Sequence, residues 1–119
     1  MVYIDDIKEL KHKIRNKLRD YKRRDKILKL KFPKENENLN TINMNEAIEL
    51  VNKLDNIYCI GCNCKLLFCN YNKWCLFQFT YDRINNNLIH SIDNLRIVCL
   101  NCNCIGFGTK KNNCLYCNH

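Results

Sequence analysis

Little in this sequence points to export or to a membrane. Its opening, MVYIDDIKELKHKIRNK, becomes charged at once and lacks the apolar core of a secretory signal. No run elsewhere approaches the length of a membrane-spanning helix. The expectation is an intracellular protein in a reducing setting, with no membrane partner. Proline occurs once, as Pro33, and glycine three times, so breaks in a helical pattern are few and each one counts.

Cysteine, by contrast, occurs ten times. A chain of 119 residues and 14.3 kDa makes one domain with at most an appended arm, and folding takes only about two-thirds of its extended-chain surface out of water. A core that small often needs staples. In a reducing compartment, paired C-x2-C spacings point to zinc rather than disulfides. A secreted disulfide scaffold would need an export route that the sequence does not show.

Charge is unevenly placed. Residues 1–34 hold thirteen Lys and Arg against five acids, which accounts for the whole formal charge of +8, while the remainder carries seven of each sign. Such a segment suits phosphate, because each neutralised phosphate releases condensed counterions. Lys13, Lys17, Lys22, Arg23, Arg24 and Lys26, with Lys110 and Lys111 near the other end, are the candidate nucleic-acid contacts, and DNA is the expected partner. The same segment places Ile4, Ile7, Leu10, Ile14, Leu18 and Tyr21 at three- and four-residue steps. It is therefore an amphipathic helix whose cations also serve as its wet face. Its apolar stripe has a single aromatic and no tryptophan, which disfavours a membrane surface.

Pro33 and the polar run KENENLN end this helix and predict a linker. A second helix fits NMNEAIELVNKL, with Asn43 as N-cap, Glu46 completing a capping box, and Met44, Ala47, Ile48, Val51 and Leu54 on one face. From Ile57 onward, short β-like pieces lie between cysteine pairs: WCLFQFTYDRI and LRIVCLNC read as strands. The division is a basic helical arm (1–34), a linker with a short helix (35–57) and a zinc-binding domain with a Cys-rich tail (58–119), in an α+β fold.

Cys59-x2-Cys62 and Cys99-x2-Cys102 flank the expected hairpin, and two such pairs make a four-thiolate site of the zinc-knuckle or treble-clef kind. Cys114-x2-Cys117 with His119 is again ligand-like. A second zinc there would be completed by two of Cys104, Cys64, Cys75 and His119. A free cysteine is otherwise a small hydrophobe that needs no role. Phe77, Phe79 and Tyr81 alternate as one strand face and read as core, whereas Trp74 with Lys73 is placed to border a nucleic-acid surface.

Between the pairs, Tyr81-Asp82-Arg83-Ile84-Asn85-Asn86, then His90, then Asp93-Asn94-Leu95, then Cys99-Leu100-Asn101-Cys102-Asn103 resembles the HNH branch of the His-Me finger endonucleases, above all its phage and large-DNA-virus members. YKRRDK (Tyr21 to Lys26) resembles what precedes the motif there, so the likeness runs from about Tyr21 to Asn103. It implies a ββα-metal-like, treble-clef domain holding one divalent cation, Mg2+ or Mn2+. By position, Asp82 and Asn103 would be its ligands and Asn94 a brace for the loop, and the general base would stand at position 83. A viral member would act in the host cytoplasm or nucleus or travel in the virion. The over-use of asparagine and lysine reads as the bias of an AT-rich genome and is consistent with that source.

Position 83 holds arginine instead. Hydrolysing a phosphodiester needs a base to deprotonate water while a metal ion neutralises the developing charge. Imidazole suits that work; guanidinium stays protonated and does not. Arg83 would serve as a phosphate clamp, and His90, seven residues on, is the candidate substitute base. Asn103 is a weaker ligand than a carboxylate, Asp82 has the alternative of pairing with a cation as structure, and Gly106 and Gly108 shorten the helix that should follow. Two functions stand: an HNH-like endonuclease acting on DNA, active or degenerate, or a non-catalytic zinc nucleic-acid-binding accessory protein in packaging, transcription or chromatin. A protein-interaction finger is a third.

Overall fold

A computed structural model describes residues 6–108. The first helix, α1 (Ile7–Lys31), starts where the Asp6 carboxylate accepts from the Glu9 N–H at 3.0 Å. At about 1.5 Å per residue it is roughly 38 Å long. Its inner face buries Leu10, Ile14 and Tyr21, as the apolar spacing predicts, and also Asp25.

Past α1 the chain does not become a linker. Pro33 opens a short helix, α2 (Pro33–Asn36), where its missing N–H costs nothing because first-turn donors have no helical partner. Asn36 is fully buried and ties this turn to a distant loop: Nδ2 donates to Phe32 O and Asn87 O at 2.9 and 3.0 Å, and Oδ1 accepts from Ile89 N at 2.9 Å. The polar run is ordered because one asparagine satisfies three backbone groups. Helix α3 (Met44–Asn52) begins at the expected capping box, with Asn43 and Glu46 bonded reciprocally, and buries Ala47 and Val51.

Two strands follow, β1 (Phe79–Arg83) and β2 (Leu95–Cys99), antiparallel with Phe79 opposite Cys99, Tyr81 opposite Ile97 and Asp82 opposite Arg96. The first strand is shorter than WCLFQFTYDRI suggests. Residues 73–77 run through two turns, where the Gln78 side chain caps Lys73 O and Cys75 O at 2.6 and 3.1 Å, and Gln78 itself makes only an isolated bridge with Leu67. A 3-10 turn at Ile92–Asn94 leads into β2, and α4 (Leu100–Cys104) follows directly. The fold is α+β.

One core unites these parts. Leu10, Ile14 and Tyr21 of α1, Ala47 and Val51 of α3, and Phe79, Tyr81, Ile97 and Val98 of the sheet lie in one cluster with the cysteines. The basic segment is thus packed as a wall of the domain rather than set apart as an arm. Phe79 stacks on Phe68 at 5.0 Å and meets Tyr71 and Tyr81 edge-on, and Tyr81 Oη donates to Ala47 O at 2.8 Å. No described helix is long and apolar enough to cross a membrane.

Candidate metal centre and nucleic-acid interface

Cys59 and Cys62 come from a tight turn, closed by Asn63 N donating to Cys59 O at 2.8 Å and by Asn63 at a left-handed φ of 63°. Cys99 ends β2 and caps α4, and Cys102 lies in its first turn. All four are buried thiols whose sulfurs lie within 4.8 Å of one another. Cys59 Sγ is 3.7 Å from Cys102 Sγ, and Cys62 Sγ is 3.6 Å from Cys99 Sγ. A tetrahedral zinc with bonds of about 2.3 Å separates its sulfurs by about 3.8 Å, so the cluster could hold a metal ion of that size.

Backbone donors already point at the sulfurs. Gly61 N and Cys99 N reach Cys59 Sγ at 3.4 and 3.3 Å, Cys102 N reaches Cys99 Sγ at 3.4 Å, and Gly108 N reaches Cys102 Sγ at 3.4 Å. Such donors favour thiolate over thiol. Against them, burial pushes the Cys102 thiol up to about 12, with Cys99 and Cys59 adding to the rise and the Gly108 N–H opposing it. A cation among the four sulfurs would reverse that balance. Gly61 was missed by sequence reasoning: a Cβ there would stand 2.7 Å from Cys102 Sγ. A glycine within C-x2-C is the signal that could have found it.

The second proposed zinc rests on Cys114 and Cys117, which lie outside the described residues. Among described residues the Cys59, Cys62, Cys99, Cys102 group is the one set of three or more ligand side chains close enough for an ion. Cys104 is exposed and outside it. Cys75 is fully buried and lies outside that group. Cys69 donates to Asp6 O at 3.4 Å. Lys110, Lys111, Cys114, Cys117 and His119 lie outside the described residues.

Asp82, Arg83, His90 and Asn103 line one cavity of about 410 Å3, together with Tyr21, Arg24 and Arg96. Asp82 Oδ2 accepts from Arg96 Nε at 2.9 Å across the strand pair. Arg83 turns toward the loop, donating to Asn86 O and Leu88 O at 2.7 and 3.3 Å; burial lowers its pKa, with Arg24 adding to the effect. Asn94 is held within that loop: Nδ2 donates to the carbonyls of Asn85, Leu88 and Ile89, and Oδ1 accepts from Asn85 N at 2.8 Å. Asn103 Nδ2 donates to Thr80 Oγ1 at 3.1 Å.

His90 is not a surface loop residue. It is 3% exposed, its Nδ1 lies 2.7 Å from Asp25 Oδ1, and its ring stacks on Tyr21 at 4.0 Å and 5°. Asp25 also accepts from His90 N at 3.1 Å and from Thr41 Oγ1 at 2.7 Å. Burial raises its carboxyl pKa, but the bonds from His90 and Thr41 outweigh that and hold it below the ordinary carboxylate range. An ionised Asp25 can only accept, so Nδ1 carries the proton and Nε2 is left for other work. The sequence signal for Asp25 was its place on the apolar stripe, four residues after Tyr21.

A second, larger groove of about 970 Å3 runs between α1 and the turn before β1, lined among others by Lys13, Lys17, Arg23, Arg24, Lys73 and Trp74. Tyr21, Arg24, Asn103 and Cys104 line both hollows, which are therefore adjacent. Lys13 and Lys17 are not simply wet-face cations. Lys13 Nζ donates to Tyr71 O at 3.3 Å and stands 4.3 Å over the Tyr71 ring, while Lys17 Nζ donates to Gln78 Oε1 at 3.1 Å and stands 4.8 Å over Phe79. Burial, and secondarily Lys13, lowers the Lys17 pKa to about 8. Arg23 and Arg24 pair with Asp20 at 2.6 and 3.6 Å, both exposed. Lys22 and Lys26 are exposed and line neither hollow. No family model, curated protein or solved structure matches this chain.

Proposed function

We propose that this protein is a zinc-stapled nucleic-acid-binding domain, its Cys59, Cys62, Cys99 and Cys102 holding one structural Zn2+ in a treble-clef-like arrangement. Buried thiols, sulfur separations near those of a tetrahedral thiolate site and four N–H donors to sulfur support the metal. When bound, the ion would join the knuckle to β2 and to α4, whose Asn103 and Cys104 line both hollows.

The observation that carries the binding reading is the groove along α1, where Lys13, Lys17, Arg23, Arg24 and Lys73 accompany a single lining carboxylate, Asp20. A concave wall of one sign concentrates phosphate and speeds its capture. The test is titration with a DNA duplex at several salt concentrations: affinity should fall steeply as salt rises, and reversing charge at Arg23 and Arg24 should flatten that dependence. Salt-independent binding, or none, would remove the reading.

A second reading is favoured by one observation, that Asp82, His90 and Asn103 share a cavity adjacent to this groove. On that reading the domain is HNH-like and hydrolyses phosphodiesters. Asp82 Oδ1 and the Asn103 carboxamide oxygen would hold a Mg2+ or Mn2+ ion, which supplies charge neutralisation at the phosphate. His90 Nε2, oriented by Asp25, would accept the proton of the attacking water, as Arg83 cannot. The Arg96 guanidinium must then release or share Asp82. Supercoiled plasmid with either metal decides this: nicking by the wild type that Asp82→Ala abolishes at unchanged zinc content supports hydrolysis, and binding without nicking leaves the non-catalytic function.

A further inference from the structure

The groove carries one feature that charge does not explain. Trp74, the only tryptophan in the chain, is 57% exposed on its rim, with Lys73 Nζ 4.7 Å over the ring. The other aromatics on this side are interior: Phe79 is fully buried, and Tyr21 and Tyr71 are nearly so. A single exposed apolar side chain needs no explanation by itself, but an indole beside a cationic groove is the pairing that base stacking on a phosphate-tracking wall uses.

Its position is fixed rather than loose. Trp74 N donates to Asn72 Oδ1 at 2.9 Å and Cys75 N to Asn72 O at 2.9 Å, which closes the turn. The adjacent Lys73 carbonyl accepts from Gln78 Nε2 at 2.6 Å, and Gln78 Oε1 in turn accepts from Lys17 of α1 at 3.1 Å. A chain of hydrogen bonds therefore locks the tryptophan turn to the basic helix. Along that helix Lys13, Lys17, Tyr21 and Arg24 share the groove face, with Lys13 and Lys17 about 6 Å apart along the axis, roughly one nucleotide of an extended strand.

Resting on the binding function proposed above, we infer that the groove is built for a single-stranded nucleic acid, with the backbone along Lys13, Lys17 and Arg24 and a base stacked on Trp74. In a duplex the base faces are already stacked on one another, and an aromatic face on a groove wall finds nothing to cover it. An unpaired base offers its π-face, and stacking of this kind tolerates any base identity. Lys73, whose ammonium lies over the indole, would give way to the base and meet the neighbouring phosphate.

Because Trp74 is the only tryptophan, its fluorescence reads the contact directly. Full-length protein is titrated with oligothymidylate, with a duplex of equal length and with heparin, a polyanion without bases. Oligothymidylate should quench Trp74 to saturation, and heparin should bind without comparable quenching. With labelled oligothymidylate followed by anisotropy, Trp74→Ala should weaken binding about tenfold, Trp74→Phe should restore most of the loss, and heparin affinity should be unchanged in both. Salt-dependent binding of duplex and heparin with no preference for the single strand, or a Trp74→Ala variant that binds oligothymidylate normally, would overturn the inference while leaving nucleic-acid binding in place. Failure of all three ligands to bind would overturn both.

Discussion

Gly61 occupies the one place in the first cysteine turn where a side chain has no room, since a Cβ would lie 2.7 Å from Cys102 Sγ and 3.1 Å from the Phe107 ring. The sulfur is fixed by its position in α4, so the turn must open instead. Gly61→Ala is expected to cost about 1–3 kcal/mol of stability and to weaken metal retention, checked by elemental analysis and thermal unfolding side by side. Asp25 is the other residue whose surroundings decide its character. Its folded pKa lies below the ordinary value, so its contribution is complete above the unfolded carboxylate pKa near 4 and is lost as pH falls through the folded value. The stability advantage of wild type over Asp25→Asn should accordingly shrink as pH falls below about 4, as read by denaturant unfolding across the acid range. The acid pattern was hidden in sequence because an aspartate in a run of Lys and Arg looks like one more surface charge.

Among the elements, α3 followed its sequence most closely. An Asn-x-x-Glu start and apolar residues at helical spacing are local signals, and the capping box forms as they predict. Asn43→Ala should remove about 1 kcal/mol, measured as a shift in the urea midpoint at unchanged slope. The strands were less legible. WCLFQFTYDRI alternates like one long strand, but Gln78 bonds inward to Lys73 and Cys75 and cuts it to Phe79–Arg83. The polar stretch after α1 read as a linker for a similar reason: nothing local announces that Asn36 will be buried against Asn87 and Ile89, some fifty residues away.

At the scale of the whole molecule, the cysteine cluster and the helical wall belong to one core. Stripping a metal from Cys59, Cys62, Cys99 and Cys102 should therefore destabilise α1 as well as the knuckle. The expected result is a single cooperative transition, shifted to lower temperature by chelator, with helical circular dichroism lost in the same step. Two separate transitions would show instead that α1 folds independently of the cluster.

The sequence by itself determined the α+β class, helices α1 and α3, the hairpin position and the four clustered cysteines, because helical periodicity, caps and C-x2-C spacing are carried by residues close along the chain. Only the tertiary structure decided that the basic segment is a packed wall, that Lys13 and Lys17 lie over aromatic rings, and that His90 is buried against Asp25. It also decided that Asp82 faces Arg96 and that the two hollows adjoin. Each of these depends on residues brought together from distant stretches, where burial and the need to satisfy buried polar groups outweigh what any short segment would do alone.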